Sequence, residues 1–149
     1  MLFRSPLSKH YLDTNVALAN FLVKTLADAL YAKCPSIQFA YLLGSGQDGY
    51  IKPHSDLDLA IHNGMQPATW ELRNAVSEIC HEIAPGIRCD LGFLDHADSV
   101  YRFEALKSRC LFVRDKERWL DFYSNTCREY ETTMVHYRRQ LKYRQERAA

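Results

Sequence analysis

Tyr41-Leu42-Leu43-Gly44-Ser45, ten further residues, and then Asp56-Leu57-Asp58-Leu59-Ala60-Ile61 is the stretch on which the fold turns. Its first part is an apolar run of strand length, opening with Ile37 and closing at Gly44. In its second part Leu57, Leu59 and Ile61 alternate with Asp56, Asp58 and Ala60, the period of a strand with one apolar face. Asn63-Gly64 ends that strand. The two acids are two residues apart, so they leave the same face.

Working outward, Leu12, Val16, Ala19, Val23, Leu26 and Leu30 recur at helical spacing, giving an amphipathic helix that starts between Ser8 and Asp13 and stops at Cys34-Pro35-Ser36. Thr69 to Ala84 predicts a second helix, with Trp70, Val76, Ile79, Cys80 and Ile83 on one face and Pro85-Gly86 as its stop. Ile87 to Leu94 predicts a third strand, which contains Asp90. A short helix follows Asp98, Cys110 to Val113 adds an edge strand, and Lys116 to Arg147 carries a long helical pattern. The sum is an α/β (α+β) fold: a small mixed sheet flanked by helices, with a long C-terminal helix. One domain over 1–149 is expected, with a core at about 12–115 and a helical segment at about 116–149.

The carboxylates give the first chemical indication. Two like charges about 4 Å apart repel by about 4 kcal/mol at an effective dielectric of 20. An apolar strand carries such a pair at a cost unless cations offset it. Magnesium takes oxygen ligands and is typically held by one or two carboxylates plus substrate phosphates. If the third strand pairs beside the second, Asp90 completes a three-carboxylate set. Roughly −3 from the acids and −4 from a triphosphate then stand against +4 from two Mg²⁺, a composition suited to in-line displacement.

Gly44-Ser45-Gly46-Gln47-Asp48-Gly49 satisfies G-x-G-x-x-G after a strand, but Pro53 and the next strand follow too soon for a crossover helix. The dinucleotide reading therefore fails on length. No Gly-Lys-Ser/Thr follows, so it is not a Walker loop. Two readings of the loop alone stay open: a turn whose N–H groups and Ser45 hydroxyl hold phosphate, and a plain hairpin using glycine for positive φ.

Composition narrows the classes. The chain has 149 residues, 47% hydrophobic and 25% charged, with a net charge of +1, which gives no general case for a nucleic-acid or membrane-surface binder. No apolar run reaches the ~18 residues of a spanning helix, and Met1 to Leu7 has no signal-peptide hydrophobic region, so the expectation is a cytoplasmic chain with no membrane partner. Cys34, Cys80, Cys89, Cys110 and Cys127 form no CxxC pair; buried free thiols are expected.

The quoted stretch, with Lys52-Pro53-His54-Ser55 before the acids, resembles the nucleotidyltransferase superfamily of DNA polymerase β type. Within it the chain is most similar to the minimal MNT-domain proteins, the MntA-type antitoxins paired with HEPN ribonuclease toxins. Their signature of Gly-Ser, ten residues and Asp-x-Asp is met in spacing and identity, and the similarity runs from about Leu12 to Tyr130. The segment from Tyr101 to Asp115 also fits their helix, strand and charged turn.

The resemblance implies that Asp56 and Asp58 hold two Mg²⁺ and that Asp90 serves the metal and the attacking hydroxyl. It also implies that Gly44, Ser45 and Gly49 bind the triphosphate of ATP. This loop lacks the family's usual arginine, and Lys52 is expected to help in its place. The implied activity is transfer of AMP from ATP to a tyrosine of a HEPN RNase toxin, as an antitoxin that assembles with it. The alternatives are a small-molecule or nucleic-acid acceptor, or an antitoxin that acts by binding alone.

Other residues are read as structural. His54 and His62 flank the acids without the spacing of a transition-metal site, and His81 and Cys80 have no nucleophile's context. Trp70 and Trp119 are expected as core or interface anchors. Arg138, Arg139, Lys142, Arg144 and Arg147 suit a solvated helix end, with a docking surface as the alternative.

Overall fold

Every residue of Phe39–Leu43 (β1) but the last is buried, because this strand lies inside the sheet and is covered on both faces. The structure is a computed structural model, and it describes residues 23–44 and 56–148. A helix at 23–33 (α1) precedes β1. Then follow Leu57–His62 (β2), Trp70–Ile83 (α2), Cys89–Phe93 (β3), Ser99–Leu106 (α3), Arg109–Val113 (β4) and Lys116–Ala148 (α4). Predicted residues before Val23, including Leu12, Val16 and Ala19, lie outside the described residues.

The four strands are ordered β3-β2-β1-β4. β1 runs antiparallel to β2 and β4, while β2 and β3 are parallel. A parallel pair needs a crossover, and α2 provides it. Thr69 caps α2 by accepting the Leu72 N–H at 3.2 Å.

Alternation along the strands divides the core in two. Leu57, Leu59 and Ile61 of β2, with Ala40 and Leu42 of β1, pack under Val23, Leu26 and Leu30 of α1 and Leu72, Val76 and Ile79 of α2. On the opposite face Phe39, Tyr41 and Ala60 pack with Leu94, Ala105 of α3 and Phe122 of α4. Trp119 Nε1 donates to Tyr41 Oη at 2.6 Å, tying α4 to that face.

Two expectations are corrected. Trp70 is 73% exposed and Leu72 takes the buried place. At 100° per residue, position 70 lies about 120° from Val76 around the helix, whereas Leu72 lies one turn from it. Not all five thiols are buried: Cys34 and Cys80 are, Cys89 and Cys127 are intermediate, and Cys110, on the edge strand, is exposed. All five are free, and Cys80 Sγ meets Cys89 Sγ at 3.1 Å between α2 and β3.

A buried carboxylate fixes how β2 and β3 end together. Asp95, 5% exposed, accepts the Asn63 N–H at 2.9 Å and the Met65 N–H at 2.8 Å. Met65 has φ +63 and Gly64 φ +68 in that turn, so Asp95 holds a backbone bend that a methionine does not favour. His62 stacks on Phe39 with centroids 4.7 Å apart and accepts the Gly64 N–H through Nδ1. Its pKa is lowered, above all by burial, so its role is that of a neutral structural ring. Replacing Asp95 by Ala strands two amide donors and is expected to lower the unfolding free energy by about 2–4 kcal/mol. Urea denaturation checks this, and Asp95→Asn, which keeps one acceptor oxygen, loses less.

Candidate active site

The site is built at the end of β2 by a coincidence of register. In the parallel pair Asp58 stands directly opposite Asp90, with Leu57 opposite Cys89 and Ala60 opposite Gly92. Register partners in a sheet point to the same face, so Asp58 and Asp90 share the face covered further along by α3 and α4. Asp56 lies one residue before β2, close enough for its charge to act on Asp58. The structure therefore sets Asp58 against Asp90, with Asp56 near enough for its charge to reach Asp58.

Their mutual repulsion is legible. The Asp58 carboxyl is pushed above the usual carboxylate range, first by burial, then by the charges of Asp90 and Asp56. Little offsets it. Arg88 Nη2 lies 3.8 Å from Asp56 Oδ2, but the side chains are 78% and 43% exposed, and an ion pair so open contributes almost nothing.

On its other side Asp58 faces the start of the loop. Its β1 partner is Leu43, and Gly44 follows with φ +71. A Cβ on Gly44 would lie 2.8 Å from Asp58 Oδ2. Glycine is thus required twice, for the left-handed backbone and for the carboxylate's space. Ser45, Gly49, Lys52 and His54 lie outside the described residues.

The donor set suits a hard divalent cation, since carboxylates supply oxygen alone. Among the described residues no three acidic, histidine or cysteine side chains are already gathered into a metal-coordinating group. A cavity of about 240 Å³ lined by Arg73, Val76, Ser77, Cys89, Asp90 and Leu91 opens beside the third acid. A larger one, about 500 Å³, lies between the start of α3 and α4 and contains none of the three.

Sequence reasoning missed one side chain here. The Tyr101 hydroxyl from α3 reaches this face, and its pKa is raised by burial, then by the charges of Asp90 and Asp58. The signal that could have found it is Gly92, because a glycine inside a strand often marks a close approach by another group.

Comparison with known proteins now fits this geometry. The family model "Polymerase beta, Nucleotidyltransferase" matches residues 24–117. The chain belongs to this nucleotidyltransferase family. The comparison with curated protein sequences finds no match.

Among solved structures, a toxin–antitoxin with AMP-PNP matches with a TM-score of 0.63 at 19% identity, over 80% of this chain and 95% of that one. A tri-AMPylated Shewanella oneidensis HEPN toxin in complex with MNT antitoxin matches with a TM-score of 0.61 at 18% identity, over 83% and 96%. The MntA–HepT toxin–antitoxin gives 0.60 at 17%, over 83% and 96%. These likenesses are in fold. No helix among the described residues is long and apolar enough to cross a membrane.

The raised Asp58 pKa has a signed consequence. The folded chain keeps this proton to higher pH than the unfolded chain does. Stability therefore falls as pH rises from the ordinary carboxylate range through the raised value. In chelator at pH 7, Asp58→Asn is expected to melt higher than the parent. Added Mg²⁺ and nucleotide should raise the parent's melting temperature and leave the variant's almost unmoved, as scanning calorimetry can check.

Proposed function

We propose that this chain transfers AMP from ATP to a tyrosine hydroxyl of a HEPN-type ribonuclease toxin, and that it thereby acts as the toxin's antitoxin in a complex with it. The observation that carries the reading is the placement of Asp58 opposite Asp90, with the charge of Asp56 reaching Asp58, in a chain of the nucleotidyltransferase family. The likeness in fold to an MNT antitoxin complex whose toxin is tri-AMPylated supports the choice of acceptor.

In this reading Asp56 and Asp58 hold two Mg²⁺ and Asp90 completes the set. Bound there, the ions supply Lewis-acid neutralisation of the triphosphate and of the pyrophosphate that leaves. Gly44 leaves room for the Asp58 carboxylate, while Ser45, Gly49 and Lys52 are assigned to the phosphates. Asp90 takes the proton of the attacking tyrosine hydroxyl. The hydroxyl oxygen bonds to the α-phosphorus, the bond from that phosphorus to the α,β-bridging oxygen breaks, and pyrophosphate carries the electron pair away. Positioning and charge neutralisation carry most of the rate. The domain assignment goes with this: one catalytic unit over 1–149, its core at about 12–115 and a helical segment beyond, acting in the cytoplasm.

The test mixes the full chain with Mg²⁺, α-labelled ATP and a candidate HEPN-type partner. Label is expected on a toxin tyrosine, with RNase activity lost in parallel. Asp56→Asn and Asp58→Asn should each lower transfer by about 10²–10³-fold, the scale on which single electrostatic stabilisers act. Tight binding without label, unchanged in both variants, would overturn transfer in favour of occlusion. Label on a small molecule or nucleic acid would move the acceptor.

A further inference from the structure

Cys80 and Cys89 are brought together by a short reversal of the chain. Cys80 sits in the last turn of α2, and its carbonyl accepts the Ala84 N–H at 2.8 Å. The Ala84 carbonyl in turn accepts the Ile87 N–H at 3.1 Å, with Gly86 at φ +81 between them. β3 then opens on Cys89, whose side chain faces back toward the helix. The two sulfurs, nine residues apart in sequence, lie 3.1 Å from each other. A disulfide needs about 2.05 Å, so about 1 Å of approach separates contact from bond.

The two thiols differ in access and in freedom to move. Cys80 is 1% exposed and belongs to the core. Cys89 is only partly buried and lines the cavity of about 240 Å³ beside Asp90. A water takes up about 30 Å³ of the liquid, so that space admits a small peroxide. Leu72, Val76 and Ile79 root α2 in the core, whereas β3 has one neighbouring strand. Approach of the sulfurs therefore moves β3. Cys89 and Asp90 are consecutive on that strand, so their side chains leave opposite faces. Drawing Cys89 toward α2 draws Asp90 back from the face it shares with Asp58.

We propose that Cys80 and Cys89 are a reversible thiol–disulfide pair which a hydroperoxide closes, and that closure withdraws Asp90 from Asp58 and weakens metal binding. With hydrogen peroxide, the Cys89 sulfur attacks one oxygen, the O–O bond breaks, and a sulfenic acid and water result. The Cys80 sulfur then bonds to the Cys89 sulfur, and the sulfenic oxygen leaves as a second water with the thiol proton. Two electrons pass from the sulfurs to the peroxide, and a dithiol returns them by exchange. Where glutathione keeps thiols reduced, disulfides are usually transient and serve as redox sensors. Formation of the bond rests on the two cysteines alone. Its effect on the metal rests on the three-carboxylate nucleotidyltransferase reading.

The experiment treats the full chain with hydrogen peroxide and maps its peptides by mass spectrometry without reduction. A peptide joining Cys80 to Cys89 is expected, and dithiothreitol should return both thiols. Mn²⁺ is then titrated, with electron paramagnetic resonance as the readout and a non-hydrolysable ATP analogue present. The oxidised chain is expected to bind Mn²⁺ about tenfold more weakly than the reduced one, with dithiothreitol restoring the affinity. Cys80→Ser and Cys89→Ser should each form no such link and keep their Mn²⁺ affinity through the peroxide treatment. Absence of the linked peptide from the treated parent overturns the pair. A linked peptide with unchanged Mn²⁺ affinity overturns its coupling to Asp90. If the reduced parent binds no Mn²⁺, the three-carboxylate reading fails, while the peptide map still decides whether the pair closes.

Discussion

A single parallel strand pairing governs this molecule. Asp58 and Asp90 face each other only because β2 and β3 are in one particular register. A slip of one residue would turn one acid to the opposite face and bury it among leucines. Three features fix the register at its two ends. The Leu57 N–H meets Arg88 O at 2.8 Å and the Leu94 N–H meets Ile61 O at 2.8 Å, while Asp95 ties the turn after β2 to the exit of β3. The division of the core reinforces this, since Leu57, Leu59 and Ile61 find partners only beneath α1 and α2.

The same division explains how an apolar fold tolerates concentrated negative charge. The acids sit at the end of the strands, while deeper positions on that face are filled by Phe39, Tyr41 and Ala60. Burial still raises the Asp58 pKa, and the neighbouring charges add to it. Stability is given up at the place where a cation would restore it, an arrangement common to sites that bind metal-linked phosphates.

Much of this was legible in the chain because it is local. The two-residue period of Asp56 to Ile61, the cap at Thr69, the stop at Pro85-Gly86 and the helix after Asp98 each depend on a few neighbouring residues. What was hidden depends on distant ones. Asp95 reads as an ordinary loop acid until the turn at Asn63 is brought to it. Tyr101 reads as a core aromatic until Gly92 is seen to make room for its hydroxyl. Trp70 misled for a different reason: its bulk argued for burial, but its angle around α2 did not. Strand order was likewise beyond local pattern, since alternation says which face a residue takes and not which strand lies alongside.

The order β3-β2-β1-β4 also puts β3 at the margin of the sheet. Asp90 is consequently carried on a rim and not in a trough, and it is exposed. Among the described residues no further strand of this sheet rises beyond it as a wall. Reach toward this acid from the side is therefore set less by the size of an incoming molecule than by whether its surface can lie flush against the sheet's border.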